Sequence, residues 1–228
     1  MPVFDSADDF AVARDNMVFG QLIPNRIRSA AVLKAMEAVP REPFLPERLK
    51  SRAYADETLA VGGRLFFSPQ IFAALLEAAD VGPDDFVLNL KADSGYTAAV
   101  LAQTARAVVA LEPDPDRAET ADRLLVSAEI DNVAVLRGTA EEGFPAQSPF
   151  DVVFFDGITP VVSDKIFQQL GQNGRMVFVE AKPGNSFGTA VKIVRKGDDY
   201  LKTALFSVDL SAFGRILAYK KFDFEAIS

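Results

Sequence analysis

Five short apolar runs between residues 86 and 179 constrain the fold more than any other feature of this chain. Each run consists mostly of β-branched, aromatic or leucine residues without apolar–polar alternation, which is typical of strands buried on both faces. The runs are Phe86–Leu90, Ala107–Leu111, Val133–Leu136, Val152–Phe155 and Met176–Val179. Helical stretches separate most of them, at about 95–104, 115–129 and 163–170. The alternation predicts right-handed βαβ units and a doubly wound, mostly parallel α/β sheet.

The segment before this core is expected to be mainly helical. Apolar spacing predicts a helix over Ala7–Gly20, and Ser29 is placed to cap a second helix. Tyr54–Phe67 looks extended, with a turn at Gly62-Gly63. Pro69 suits the first turn of a third helix. The N-terminal segment is therefore predicted to add helices beside the sheet.

The C-terminal part, from residue 190 to 217, is strand-like, with turns at Gly197-Asp198 and Gly214. It is expected to add edge strands that return antiparallel. We expect a single domain made of three parts: an N-terminal helical, substrate-side segment (1–82), a cofactor-side βαβ core (83–185) and C-terminal edge strands (186–228).

Composition excludes several kinds of chemistry. The 228 residues include no cysteine and no histidine, so disulfides, thiolate metal sites and Ser–His or Cys–His catalysis are excluded. Residues 81–164 carry 5 basic and 15 acidic groups, which argues against a polyphosphate site and against nucleic acid as the main partner. We expect no metal.

The chain is expected to be a soluble, cytoplasmic protein. It contains no run of about 18 apolar residues of the kind that spans a membrane. Its start, Met1–Asp15, is acidic and lacks a charged-then-apolar leader, so no secretion signal is predicted.

The first strand–loop–helix of the core, Phe86–Gln103, is the candidate ligand site. Ligands in such folds bind beyond the carboxyl ends of the strands, and glycine in this turn lets the backbone approach them. Gly95 is the turn's one glycine. Glu112 ends the second strand 17 residues later, where a carboxylate could accept both hydroxyls of a ribose. The alternative is that Glu112 only caps the strand in solvent.

Several motifs give the chain a family resemblance. They include Asn16-Met17-Val18, Val39-Pro40-Arg41-Glu42, the helix start Gly95–Ala102 and Pro149-Phe150-Asp151. Over about residues 10 to 180, the chain resembles the protein-L-isoaspartate O-methyltransferases. The resemblance implies S-adenosylmethionine as the cofactor and isoaspartyl residues of damaged proteins as the substrate.

The resemblance also implies which residues face the cofactor. They are Asn89, Ser94, Gly95, Tyr96, Glu112, Gly138 and Thr139. Three departures stand out: Asn89 replaces an acidic residue, while Lys91 and Ala92 replace the first two glycines of the cofactor loop. Lys91 places a cation near a cationic sulfonium, which is unfavourable unless Asp93 pairs with it.

On the substrate side, the resemblance implies Tyr54, Asp56, Leu65, Phe67 and Ser68 as candidates. Leu65 and Phe67 stand where the family carries the hydroxyls of a Thr-x-Ser-x-Pro motif. Ser68 is one position out of register, which along an extended chain points it to the opposite face.

Three hypotheses remain open at this point: a carboxyl methyltransferase, a catalytically silent relative that serves as a binding or assembly module, and a methyltransferase with a changed acceptor. No catalytic residue is assigned, because a carboxylate acceptor is already a nucleophile and methyl transfer depends on positioning. A homo-oligomer is compatible with each hypothesis.

Overall fold

The computed structural model describes residues 6–182 and 184–211, and these contain six α-helices and nine strands. The helices are α1 (Ala7–Met17), α2 (Ala30–Ala38), α3 (Pro69–Ala79), α4 (Tyr96–Ala102), α5 (Pro115–Ser127) and α6 (Asp164–Gln169). The strands are β1 (Leu59–Val61), β2 (Arg64–Phe66), β3 (Phe86–Leu90), β4 (Ala107–Glu112), β5 (Val133–Arg137), β6 (Phe150–Thr159), β7 (Leu170–Glu180), β8 (Phe187–Lys196) and β9 (Asp199–Asp209). Shorter helical turns lie at Val18–Leu22, Glu42–Phe44, Glu47–Arg52 and Pro145–Gln147.

Seven strands form the central sheet, in the order β5-β4-β3-β6-β7-β8-β9. Strands β3 to β7 pair in parallel, whereas β8 and β9 are antiparallel. The mostly parallel α/β fold with added N-terminal helices is therefore confirmed. The strand order reverses between β3 and β6, which pair from Val87 with Val152 to Leu90 with Phe155. This reversal is where ligands bind in such sheets.

Both faces of the sheet are buried, which explains the unbroken apolar runs. On β3, Val87 belongs to a core shared with the N-terminal helices, α3 and α4. Its neighbour Leu88 points to the other face and packs in a second core with Ile166 of α6. Because successive side chains on a strand alternate between faces, a strand with two cores needs apolar residues at almost every position.

A short hairpin, β1–β2, lies between the N-terminal helices and the sheet. Its three cross-strand pairs run from Leu59 with Phe66 to Val61 with Arg64. Arg41 is buried beneath it, with its guanidinium carbon 4.4 Å from the Phe66 ring centre. The Arg41 side chain also donates to the Ala53 carbonyl at 2.7 Å and to the Phe67 carbonyl at 2.8 Å. The base of the hairpin is therefore fixed to the N-terminal segment.

Several boundaries differ from the sequence prediction. The extended stretch expected at Tyr54–Phe67 forms strand only in the hairpin. Strands β6 and β7 both extend well beyond their apolar runs. Register shifts on β6 let pairing with β7 continue past polar residues that interrupt the hydrophobic pattern.

The predicted C-terminal edge strands are present as β8 and β9, which turn at Gly197. The rest of the predicted 186–228 segment beyond residue 211, including the turn expected at Gly214, lies outside the described residues. Among the described residues, no helix has the length and apolar character needed to span a membrane.

Candidate functional site

A cavity of about 360 Å³ opens at the carboxyl edge of the parallel strands, at the reversal in strand order. The hairpin covers it, and the turn after β3, the end of β4 and the loop after β5 line its walls together with β6. Its lining includes Arg64, Leu65, Lys91, Thr139, Glu141 and Asp156. The cavity therefore lies beyond the carboxyl ends of the strands, and Lys91 is its lining residue from the predicted Phe86–Gln103 segment.

Glu112, at the end of β4, is fully buried and forms a two-pronged salt bridge with Arg64 of the hairpin. The guanidinium donates to its two oxygens at 2.8 and 2.6 Å. The backbone amides of Asp93 and Asp114 each donate to the same carboxylate at 3.0 Å. Glu112 is thus not a solvated cap, and Arg64 takes the contacts predicted for a ribose.

The turn between β3 and α4 keeps backbone conformations that suit glycine, although only Gly95 is one. Lys91 has a φ of 59° and Asp93 a φ of 49°, both in the left-handed region. The Lys91 ammonium donates to the Ile158 carbonyl at 3.2 Å, across the cavity. Burial lowers the pKa of Lys91. A side chain therefore fills space that a glycine loop would leave free.

Asp93 pairs with Arg117 of α5 rather than with Lys91. The same Arg117 donates to the Gly62 carbonyl at the hairpin turn, at 2.6 Å. Burial raises the pKa of Asp93, against the opposing effect of the Arg117 charge. The Lys91 cation is therefore not neutralised by Asp93, and the hairpin turn has a second attachment to the sheet edge.

Asp156 of β6 lies on the cavity wall and accepts a hydrogen bond of 2.7 Å from the Thr97 hydroxyl of α4. Burial raises the pKa of Asp156 to about 7. Asp156 is followed by Gly157, a pair that usually marks a turn. Because β6 continues to Thr159, the carboxyl group lies within a strand, beside the candidate site.

The other predicted cofactor residues divide between the cavity and its surroundings. Thr139 lines the cavity, whereas Asn89 is buried in β3 with its amide 3.3 Å from the Phe154 carbonyl. Gly138 is not among the lining residues, and a Cβ at this position would lie 3.3 Å from the Leu111 side chain. Ser94 lines a separate groove of about 640 Å³.

Tyr96, the remaining cofactor candidate, is buried in an aromatic cluster beneath the hairpin. Its ring centre lies 5.3 to 5.5 Å from those of Phe44, Phe66 and Phe72. The structure thus places Tyr96 among packing residues and not on the cavity wall.

The substrate-side candidates do not converge on one site. Leu65 lines the cavity of about 360 Å³ and Phe67 is buried. Ser68 caps α3 by accepting from the Ile71 amide at 3.4 Å, and it shares a cavity of about 690 Å³ with the exposed Asp56. The Tyr54 hydroxyl donates to Glu42 at 2.5 Å, and burial is the main cause that raises its pKa.

Sequence reasoning did not single out Arg64. Its only signal was an arginine directly after a Gly-Gly turn in an otherwise apolar hairpin. Its partner Glu112 is 48 residues away, so only the fold brings the two together.

Comparisons with solved structures support the fold. A protein-L-isoaspartate O-methyltransferase structure superposes with a TM-score of 0.77 at 23% identity, covering 91% of this chain and 69% of the other. A Plasmodium falciparum structure, described as a β-aspartate methyltransferase in complex with S-adenosyl-L-homocysteine, gives a TM-score of 0.68 at 16% identity, covering 86% and 95%.

Sequence comparisons place the chain more narrowly. Protein-L-isoaspartate O-methyltransferase 1 of Rhodopseudomonas palustris is 37% identical over 195 residues, covering 85% of this chain and 78% of that protein. The corresponding enzyme of Methylorubrum extorquens is 36% identical over 199 residues, covering 87% and 86%. The model of the protein-L-isoaspartate(D-aspartate) O-methyltransferase family matches residues 13–207. The chain therefore belongs to the protein-L-isoaspartate(D-aspartate) O-methyltransferase family.

Proposed function

We propose that this chain is a carboxyl methyltransferase that uses S-adenosylmethionine, the cofactor of its family, and acts on isoaspartyl residues of proteins. The observation that carries the proposal is the buried Glu112 carboxylate at the end of β4, beside a cavity at the reversal in strand order. A carboxylate at this place suits the two hydroxyls of a ribose.

The residues present fit a nucleoside once Arg64 has left Glu112. The cavity volume of about 360 Å³ lies within the range of small-molecule sites, which is about 300 to 1,000 Å³. A guanidinium fork and a ribose diol both offer two hydrogen-bond donors to a carboxylate. The exchange would therefore leave the buried Glu112 satisfied. Thr139, on the wall after β5, is proposed to lie on the adenine side.

When bound, S-adenosylmethionine supplies a methyl group carried on its sulfonium. The acceptor carboxylate needs no general base, so the task left to this chain is to position it and to exclude water. Leu65 on the cavity wall presents apolar surface, and the buried Phe67 follows two residues later, so this segment is suited to the exclusion of water. We also propose that the protein acts in the cytoplasm. Disulfides are rare in that reducing compartment, and the sequence has no cysteine with which to form one.

Calorimetric titration with S-adenosylhomocysteine tests the cofactor site. Glu112→Gln, compared in an Arg64→Met background where no guanidinium competes for the side chain, should weaken binding by at least about tenfold, because a buried charged acceptor contributes about 1.5–3 kcal/mol. Glu119→Gln, an equal charge change at an exposed position of α5, should bind as the wild type does.

Transfer of labelled methyl from S-adenosylmethionine to an isoaspartyl peptide then tests the activity, with the matching aspartyl peptide as the control. A Kd of about 1 mM corresponds to a binding free energy of about −4 kcal/mol. Absence of binding heat at about that ligand concentration would contradict an enzymatic function. Binding without transfer to the isoaspartyl peptide would instead contradict the proposed acceptor.

A further inference from the structure

We propose that Arg64 sets the cofactor affinity of this pocket, because it competes with the ribose for Glu112 and holds the β1–β2 hairpin over the cavity as a latch. The inference rests on the proposed function, since it concerns access to the same nucleoside site. Arg64 is in this view an affinity-determining residue and takes no part in methyl transfer.

The salt bridge between Arg64 and Glu112 has a geometry that makes Arg64 a strong competitor of the ribose. Both oxygens of Glu112 are engaged by the one guanidinium, at 2.6 and 2.8 Å. Bidentate arginine–carboxylate pairs are among the strongest charge-assisted hydrogen bonds, and the planar fork loses little entropy when it forms one. The carboxylate has no exposure, while the Arg64 side chain is 24% exposed. A ligand can therefore reach Glu112 only by displacing Arg64.

The turn of the hairpin has a second attachment that supports the latch. Arg117 donates to the Gly62 carbonyl at 2.6 Å, while its guanidinium also pairs with Asp93 in the β3–α4 turn. A Cβ at position 62 would lie 2.6 Å from the Arg117 Nη2 atom, so glycine is what allows this close approach. The hairpin is thus joined to Glu112 at the end of β4 and, through Arg117, to Asp93 in the β3–α4 turn.

The hairpin is also constructed so that its turn can move separately from its base. It contains only three cross-strand pairs and forms a two-stranded sheet of its own. Phe66, at its base, is held against Arg41 and Tyr96, whereas Arg64 and Gly62 are held at the turn by charged contacts. Release of those polar contacts would expose the cavity without disturbing the aromatic cluster.

The latch should lower the apparent affinity for a nucleoside. Opening without a ligand breaks the two-pronged pair and leaves Glu112 with only the Asp93 and Asp114 amides as donors, which is a costly state for a carboxylate at a buried position. The open form is therefore a minor population of the free protein. The apparent Kd of such a protein equals the intrinsic Kd divided by the fraction of molecules that is competent to bind, so the apparent affinity is lower than the intrinsic one. Removal of the Arg64 donors should remove this reduction.

The test is the affinity for S-adenosylhomocysteine, measured by calorimetry on the full chain. Arg64→Met keeps the length of the side chain and removes every donor, so it should bind at least about tenfold more tightly than the wild type. Arg64→Lys, which keeps the charge but not the fork, should fall between the two. Lys34→Gln, on the exposed face of α2, removes one positive charge outside the cavity lining and should leave the affinity unchanged.

Each outcome decides a separate point. Equal or weaker binding by Arg64→Met, with measurable binding by the wild type, overturns the latch and leaves the proposed function intact. Absence of binding by both proteins overturns the proposed function and the latch together. Where circular dichroism shows that Arg64→Met is unfolded, Arg64→Lys decides by the same criterion, since tighter binding supports the latch and unchanged binding rejects it.

Discussion

Lys91 is the residue at which this chain departs most clearly from a glycine loop. Its φ of 59° costs an L-residue about 1–2 kcal/mol, and its ammonium is drawn into a half-buried position where its pKa is lowered. The backbone has kept the shape of the loop while the side chain has changed. Position 91 therefore carries two destabilising contributions, the left-handed backbone and the partly buried amine.

Replacement of Lys91 by glycine should relieve the backbone strain and the burial of the amine. We expect the free energy of unfolding to rise by about 0.5–1 kcal/mol, after allowance for the greater freedom of glycine in the unfolded chain. Ala92→Gly is the matched control, since Ala92 has no positive φ and should lose about 1 kcal/mol. Urea denaturation measures the free energy of unfolding of both variants. If Lys91→Gly loses as much stability as Ala92→Gly does, the backbone at Lys91 is not strained.

Asp156 gives the stability a specific dependence on pH. Its folded pKa of about 7 lies above the ordinary value of 3.8, so the folded state holds its proton more tightly than the unfolded state does. The free energy of unfolding should consequently fall as pH rises from about 4 to 7. Asp156→Asn, which can still accept from Thr97, should lack this fall and be more stable than the wild type at pH 8.

Urea denaturation at pH 5 and pH 8 checks this dependence. Asp131→Asn, at an exposed position, is the control and should follow the wild type at both values. A gap between Asp156→Asn and the wild type that has the same size at pH 5 and pH 8 would refute the assignment.

At the scale of the elements, the α3 helix explains the position of Ser68. Its hydroxyl accepts from the Ile71 amide at the first turn, and its own amide donates to the Thr58 hydroxyl at 3.2 Å. Helices begin with four amides that lack intrahelical partners, and a serine cap satisfies one of them. The element therefore accounts for Ser68 without a substrate contact.

Ser68→Ala should lower the free energy of unfolding by about 1 kcal/mol, through loss of the cap. It should leave the KM for an isoaspartyl peptide unchanged, and Ser68→Asp should recover most of the stability. A raised KM in Ser68→Ala, with stability intact, would instead assign Ser68 to the substrate site. Denaturation and initial-rate kinetics on the same preparations separate the two roles.

At the scale of the whole molecule, the sequence predicted what depends on local pattern and missed what depends on distant contacts. The parallel strands were found because burial on both faces demands apolar runs, and the hairpin because Gly62-Gly63 marks its turn. The full lengths of β6 and β7 were missed, since polar residues interrupt them. The pairing of Arg64 with Glu112 could not be found, because residues so far apart in the chain meet only after folding.

The central pairing of β3 with β6 also has a consequence for the order of folding. Val87 and Val152 lie 65 positions apart in the chain, whereas β8 and β9 are joined by a tight turn at Gly197. Loop-closure entropy must be overcome before a distant pair gains any contact energy, so local hairpins form quickly and parallel pairs slowly. We expect the C-terminal strands to pair early and the ligand edge to form late. During synthesis, the cavity wall that carries Asp156 would then be missing until β6 has emerged, so the edge beside Glu112 would be completed only late in folding.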